Sequence, residues 1–256
     1  MGGKDKQREG KRREDVMALN QCPGQNRLFW KPDDIFNAEC PHCKHEMEFW
    51  KDDIRRECPE CHKQVVNPKL DLACAQWCKW ADKCLEGLTL EDRLIAAAKD
   101  VFGDDDKRVA HALRVLEYAK RILETEEADA QVVVAAAALH DIGIPESERK
   151  HGNAAPENQH QEGPPIAREI LTRLGVEAEE VEKVCDIIGH HHTPRNEETP
   201  EFNVVFDADV LRNWMESGPP DLTPELETKI NKAFRTEGGR RLAKSVFLRA
   251  AAEKDA

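Results

Sequence analysis

Residues 132–145 read VVVAAAALHDIGIP, and this stretch decides the fold of the chain. Eight apolar residues, 132–139, lead directly into His140 and Asp141. A histidine beside an aspartate on a mostly buried helix costs free energy unless something binds the pair. A divalent metal ion binds both residue types. The stretch therefore predicts a buried helix that ends in a metal site.

Possible partners for such a metal lie on both sides of this stretch. One precedes it and four follow it: His111, then His160, His191, His192 and Asp209. The spacing between His111 and His140 places these two residues on successive helices. Mixed nitrogen and oxygen ligands suit Mn, Fe, Co, Ni, Zn or Mg alike. The ordered series indicates a metal-dependent hydrolase.

Hydrophobic periodicity after residue 88 predicts a mainly α, all-helical bundle. Thr89, followed by Asp92, is typical of a helix start. The segment 144–162 is rich in Pro, Gly, Asn and charged residues, and predicts a loop near the metal. No convincing strand pattern follows residue 86. The predicted helices lie near 89–101, 106–125, 129–142, 163–174, 177–191, 202–216, 223–234 and 238–253.

Two CxxC pairs, Cys40 with Cys43 and Cys58 with Cys61, are separated by 14 residues. Each pair delivers two thiolates to one side of a tight turn, so that together they complete a tetrahedron. Residues 45–50 (HEMEFW), between the pairs, alternate as a strand does. This pattern resembles a zinc ribbon and predicts a structural zinc bound by the four cysteines.

Four further cysteines lie in the same half of the chain: Cys22, Cys74, Cys78 and Cys84. Cys74 and Cys78 are four residues apart and share a helix face, and Cys22 could be the distant fourth ligand. The set fits a second zinc or an iron–sulfur cluster, or else packs as small core residues. The ninth cysteine, Cys185, lies on an apolar helix face, and we interpret it as a core residue.

Composition divides the chain into three segments. Residues 1–20 are charged without periodicity and predict a flexible tail, residues 21–86 form the cysteine-rich module, and residues 88–256 form the helical domain. The net charge is −12, and residues 86–256 carry 22 Lys and Arg against 35 Asp and Glu. This acidity disfavours nucleic acid as a partner.

The chain of 256 residues contains no run of 18 apolar residues, so we expect no membrane span. Its beginning lacks the apolar segment of a secretory signal. Without an export signal, metal ligation is favoured over disulfides for the cysteines, and a cytoplasmic location is expected. The sequence leaves the oligomeric state open.

The series from His111 onward resembles the HD superfamily of metal-dependent phosphohydrolases. The resemblance covers residues 88–256, about two thirds of the chain. The ordered set H…HD…H…HH…D is much more specific than an HD pair alone. The segments that carry it are RVAHALRVLEYAKRI at 108–122, AAAALHDIGIP at 135–145, HQEGPPIAREIL at 160–171, IIGHHHTP at 187–194 and FDADVL at 206–211.

The resemblance implies four ligands for a first metal: His111, His140, Asp141 and Asp209. Asp209 is preferred over Asp207 because the last aspartate of the family is usually followed by one residue and then a leucine, as here. Asp207 could be a partner of Asp209 rather than a ligand.

The extra histidines of binuclear family members are matched by His160, His191 and His192. In those members the aspartate at the position of Asp141 bridges two ions. The gap after Asp141 is shorter here than in the best-known binuclear pattern. Because consecutive residues fan out by about 100° on a helix, His190 is expected to lie outside the site.

By this resemblance, the protein is expected to hydrolyse a phosphomonoester or phosphodiester, in a nucleotide or another small phosphorylated substrate, with a metal-activated water. His140 and Asp141 would be its catalytic residues. Two alternatives stay open, an HD-type di-iron oxygenase and a non-enzymatic, metal-stabilised sensor or binding protein. Positively charged residues that could neutralise the phosphoryl oxygens are chosen only by their region of the chain. They are Lys120, Lys150, Arg168 and Arg195.

Overall fold

The structure is a computed structural model that describes residues 30–70, 88–218, 220 and 223–254. The chain divides into two compact units at the boundary between Leu88 and Thr89. None of the helices in the described ranges combines the length and the apolar character that a membrane crossing requires.

The first unit contains two antiparallel β-hairpins, preceded by a short 3-10 helix, Pro32–Asp34. Met47 and Phe49 are buried while their neighbours on the strand are not, which confirms the alternation expected at 45–50. The hairpins pair β1 (Ile35–Glu39) with β2 (Glu46–Trp50), and β3 (Arg55–Glu57) with β4 (Gln64–Val66).

The described residues of the second unit form helices and the turns between them, without a strand, which confirms the mainly α fold. Thr89 begins the first helix, and its side chain and that of Asp92 form the expected reciprocal cap. The helices are α1 (Leu90–Phe102), α2 (Asp106–Leu123), α3 (Ala130–Leu139), α4 (Ile144–His151), α5 (Pro156–Arg173), α6 (Ala178–Ile188), α7 (Pro200–Glu216), α8 (Leu226–Ala233) and α9 (Glu237–Lys254).

Helix α3 is the centre of the helical unit. It is apolar around its whole circumference and is buried along most of its length, as expected for a helix enclosed by others. It packs against α1, α2, α6 and α7. Its alanines let these neighbours approach closely, so residues at its carboxyl end meet side chains from several helices.

The prediction of a loop at 144–162 is wrong. Residues 144–151 form α4, and α5 begins at Pro156 rather than near residue 163. Pro145 and Pro156 stand in the first turns of these helices, where the missing backbone N–H would have no helical partner. Gly152, at φ 74°, ends α4 in a left-handed conformation. The residues that indicated a loop are helix caps and helix starts.

A close backbone crossing places α5 against the turn that follows Asp141. A Cβ atom added to Gly143 would lie 2.6 Å from the backbone N of Gly163 and 2.7 Å from the backbone O of Gln159. A Cβ atom on Gly163 would lie 2.7 Å from the side chain of Ile188. Glycine at both positions therefore lets α5 approach the residues beside Asp141.

Gly143→Ala is expected to lower the free energy of unfolding by about 1–3 kcal/mol, since overpacking against backbone atoms outweighs the smaller gain from a less flexible unfolded chain. Gly152→Asn is the control, because Gly152 has open space around its Cβ position and asparagine tolerates its left-handed conformation. Urea unfolding followed by circular dichroism measures both changes. A Gly143→Ala variant as stable as the wild type would contradict the close crossing.

Candidate metal centres

Four of the predicted ligands converge from three helices at the end of α3. His111 is on α2, His140 and Asp141 directly follow α3, and Asp209 is on α7. The Nε2 atom of His111 lies 3.1 Å from Asp209 Oδ1 and 3.7 Å from Asp141 Oδ2. The Nε2 atom of His140 lies 3.3 Å from Asp141 Oδ2 and 3.7 Å from Asp209 Oδ1. The structure thus brings the first predicted set together.

A second group of histidines faces the other oxygen of Asp141. The Nε2 atom of His191 lies 3.5 Å from Asp141 Oδ1, and His192 offers a ligand atom to the same group. The ring of His160 lies 5.4 Å from that of His191 and 5.6 Å from that of His192, measured between ring centres. Asp141 therefore lies between two sets of histidines, one at each of its oxygens.

Two buried imidazole nitrogens identify the donor set as suited to a cation. Among the residues that the structure describes, Nε2 of His140 and Nε2 of His191 have no hydrogen-bond partner. The Nδ1 atom of His140 lies 2.9 Å from the backbone O of Ala137, and that of His191 lies 2.9 Å from the backbone O of Ile188. A carbonyl only accepts, so both Nδ1 atoms donate, and in the neutral rings the Nε2 lone pairs are left for a metal.

The charges of the cluster favour a bound cation. Burial opposes ionisation of Asp141, but His140 and His191 lower its pKa well below the ordinary value. Burial also opposes protonation of His140, yet the Asp141 carboxylate raises the pKa of His140 to about 9. Burial, together with His191, lowers the pKa of His192 to about 4, so its ring is neutral at pH 7. Without a metal, a proton on His140 thus balances part of the carboxylate charge.

Three residues that the sequence analysis did not single out contact the predicted metal ligands. The Nδ1 atom of His111 lies 3.2 Å from Glu216 Oε1, and Asn213 Nδ2 donates to Asp209 Oδ1 at 3.0 Å. The buried Gln159 places its Oε1 3.4 Å from Nε2 of His192. The sequence does contain a pattern that points to Glu216 and Asn213, since residues 209, 213 and 216 have the spacing of one helix face.

Two neighbours of the ligands point elsewhere. His190 bonds through Nδ1 to the backbone O of Asp186, lies 3.1 Å from Glu198 through Nε2, and stacks on Phe202. None of the described hydrogen bonds of Asp207 involves Asp209. Asp207 accepts instead from the backbone of Arg235 and from Thr236 at the start of α9. Burial raises the pKa of Asp207 to about 6, although these donors oppose the rise.

The four candidate cations form ion pairs with carboxylates away from the His/Asp cluster. The pairs join Lys120 with Glu91, Lys150 with Glu146 and Glu162, Arg168 with Glu182, and Arg195 with Asp186. No described contact links any of them to the cluster. Cys185 is buried in the helical core, as expected, and its thiol donates to the backbone O of Pro164.

The four cysteines of the first unit form a separate cluster. Cys40 and Cys43 lie in the turn between β1 and β2, and Cys58 and Cys61 in the turn between β3 and β4. The Sγ atoms of Cys40 and Cys61 are 3.7 Å apart, and those of Cys43 and Cys58 are 3.6 Å apart. A tetrahedral zinc with Zn–S bonds of about 2.3 Å has sulfur–sulfur edges of about 3.8 Å. The cluster therefore fits a tetrahedral metal.

The two cysteine turns repeat one backbone geometry. In each turn the first cysteine accepts from the amide four residues later, at Lys44 and at His62, and both of these residues have positive φ. Burial favours the neutral thiol of Cys40, but the backbone amides of His42 and Cys43 lower its pKa to about 7. The proposed second cysteine set, Cys22, Cys74, Cys78 and Cys84, lies outside the described residues.

The helical unit is similar to known proteins. Residues 108–214 match the family model of the HD domain. The chain is also similar to the crystal structure of a predicted HD superfamily hydrolase from an uncultured Thermotogales bacterium, with 24% sequence identity and a TM-score of 0.47. That similarity covers 63% of this chain and 88% of the other. No curated protein matches the chain.

Metal binding by the His/Asp cluster is expected to release protons. Because the pKa of His140 is about 9 without metal, its ring is protonated at pH 7 and must lose that proton to become a ligand. The affinity for Mn²⁺ should therefore rise as the pH rises from 6 towards about 9. Calorimetric titration at pH 7, in buffers of different ionisation enthalpy, counts the protons. A proton count of zero and a pH-independent affinity would contradict the assignment.

Proposed function

We propose that the protein is a metal-dependent phosphohydrolase, since residues 108–214 match the family model of the HD domain. Its substrate is a nucleotide or another small phosphorylated molecule. The observation that supports the proposal most strongly is the position of Asp141, with one carboxylate oxygen towards His111 and His140 and the other towards His191.

The residues of the cluster suit one or two divalent metals. A first metal would be held by His111, His140, Asp141 and Asp209, and a second by Asp141 with His191 and His192, near His160. When bound, such metals lower the pKa of water towards neutrality and stabilise charge on a phosphoryl group. The mixture of imidazole and carboxylate donors accommodates Mn, Fe, Co, Ni, Zn or Mg.

The histidine side chains of the cluster are already fixed in orientation without substrate. His140 and His191 are buried and are anchored through Nδ1, so neither has to reorient. Asp141 and His160 are partly exposed and mark the side from which a small molecule can enter. Two carboxylates would repel a phosphate if nothing neutralised them. Substrate binding is therefore coupled to the presence of cations at the cluster.

We assign the Cys40, Cys43, Cys58 and Cys61 cluster a structural zinc. Four thiolates fill a tetrahedron and leave no position for water or substrate, which is typical of structural rather than catalytic zinc. The β-hairpin unit has a small core for its described residues, made of Met47, Phe49 and Val65 with the buried cysteines. A bound metal would supply the stability that such a core lacks, on the order of 10 kcal/mol in comparable small modules.

Substitutions at the two centres should remove metal independently. His140→Ala and Asp141→Ala in the full chain are expected to lose the metal of the helical unit and to retain the zinc of the cysteine cluster. Cys58→Ser should have the opposite effect, because it removes a buried thiolate of the cysteine cluster and changes no residue of the helical unit. Elemental analysis of the purified variants gives the metal content of each. Unchanged metal content in His140→Ala and Asp141→Ala would refute the His/Asp site.

Hydrolysis should depend on Asp141. The Mn²⁺-loaded protein is expected to release phosphate from members of a panel of nucleotides and sugar phosphates, as followed by ³¹P NMR. Asp141→Asn should lower kcat at least about 100-fold, since several kcal/mol of charge stabilisation depend on the metals. Asp104→Asn, at an exposed position, is the matched control. Consumption of dioxygen by the iron-loaded protein, without phosphate release, would instead establish the oxygenase alternative.

A further inference from the structure

The last part of α7 presents polar side chains to the metal cluster. Asp209, Asn213 and Glu216 are spaced by four and three residues, so they lie along one face of the helix. Helix α7 packs against α2, the helix that carries His111. The face therefore meets His111 as well as carrying Asp209.

Glu216 is the partner of the outer nitrogen of His111. Its Oε1 atom lies 3.2 Å from Nδ1, while the opposite nitrogen, Nε2, lies 3.1 Å from Asp209 and 3.7 Å from Asp141. A carboxylate only accepts hydrogen bonds, so Glu216 keeps hydrogen on Nδ1. Asp209 accepts from Nε2 in the same way, so without metal both ring nitrogens carry hydrogen. A metal on the side of Asp141 replaces the hydrogen on Nε2 and requires the one on Nδ1 to stay.

His111 needs a side-chain acceptor because of its place in the helix. His140 and His191 follow the ends of α3 and α6, where carbonyl groups lack helical partners, and they donate to Ala137 and Ile188. His111 instead lies inside α2, where nearby carbonyls bond to helical amides. No free carbonyl of its own helix is in reach, and Glu216 supplies the missing acceptor.

Two neighbours on α7 keep this arrangement ordered. Arg212 lies 2.7 Å from Oε1 of Glu216, the same oxygen that faces His111. Asn213 donates to Oδ1 of Asp209, the oxygen nearest to His111. Both carboxylates are thus fixed in orientation before any metal binds, which lowers the entropy cost of binding.

We propose that Glu216 is a positioning residue for the metal centre: it holds His111 in the ring form and orientation that present Nε2 to Asp141 and Asp209. The inference rests on the proposed metal site, and it adds a residue outside the ligand set. Glu216 is not proposed to contact the substrate.

The test compares Glu216→Gln and Glu216→Leu in the full chain. Glutamine keeps an oxygen that accepts from Nδ1, whereas leucine has a similar size and no acceptor. Titration with Mn²⁺ alone is expected to show a loss of affinity of about 10–100-fold for Glu216→Leu and near-normal affinity for Glu216→Gln. Mn²⁺ suits the nitrogen and oxygen ligands of the helical unit rather than the cysteine cluster. Glu117→Leu is the matched control, because Glu117 is an exposed helical glutamate that pairs with an arginine.

A second readout separates positioning from general structure. Nitrogen-15 NMR of the protein loaded with diamagnetic Zn²⁺ should show hydrogen on Nδ1 and the metal on Nε2 of His111 in the wild type and in Glu216→Gln, and loss of this pattern in Glu216→Leu. Glu216 is partly exposed at the end of α7, so circular dichroism should show all variants folded.

Equal Mn²⁺ affinity of Glu216→Leu and the wild type would overturn the positioning role and leave the metal site standing. Equally weak binding by Glu216→Gln and Glu216→Leu would overturn it as well, since the acceptor oxygen would then have no effect. A wild-type protein that binds no Mn²⁺ would overturn both this inference and the proposed function.

Discussion

The structure depends on the carboxylate of one residue, Asp141. Asp141 stands at the end of an apolar helix, between two imidazole nitrogens, on His140 and His191, that have no hydrogen-bond partner in the described part of the chain. Leaving such groups unpaired in a protein interior costs free energy comparable with a lost hydrogen bond for each group. A cation at Asp141 would satisfy both nitrogens and the carboxylate together. Helices α2, α3, α6 and α7 bring the polar side chains to this point through the packing of the apolar core.

The helices serve the site through their ends and their closest contacts. His140 and His191 follow helix ends, where unpaired carbonyls of Ala137 and Ile188 fix their rings. The contact between Gly143 and Gly163 lets α5 approach, so that His160 lies beside His191. Alanines in α3 keep the neighbouring helices near its axis. The same backbone features that stabilise the bundle therefore also orient its polar centre.

The sequence predicted the helical class through its hydrophobic periodicity. It predicted the convergence of His111, His140, Asp141 and Asp209 through its resemblance to the HD superfamily, whose ligands follow the same order. It failed at 144–162, where Pro145, Pro156 and Gly152 serve as helix starts and a helix end although their composition is that of a loop. Proline and glycine occur both in loops and at the ends of helices, so local composition does not distinguish the two. Tertiary packing decides whether a helix forms beside them. Glu216 and Asn213 share the helix face of Asp209 in the sequence, but that spacing does not show that Glu216 reaches His111 on a different helix.

The central claim is that a metal ion lies among His111, His140, Asp141 and Asp209. Anomalous diffraction from crystals grown with Mn²⁺ tests it most directly. The account predicts a peak within bonding distance of Nε2 of both histidines and of an oxygen of each aspartate. The same four side chains without a peak between them, or a peak held only by other residues, would contradict it.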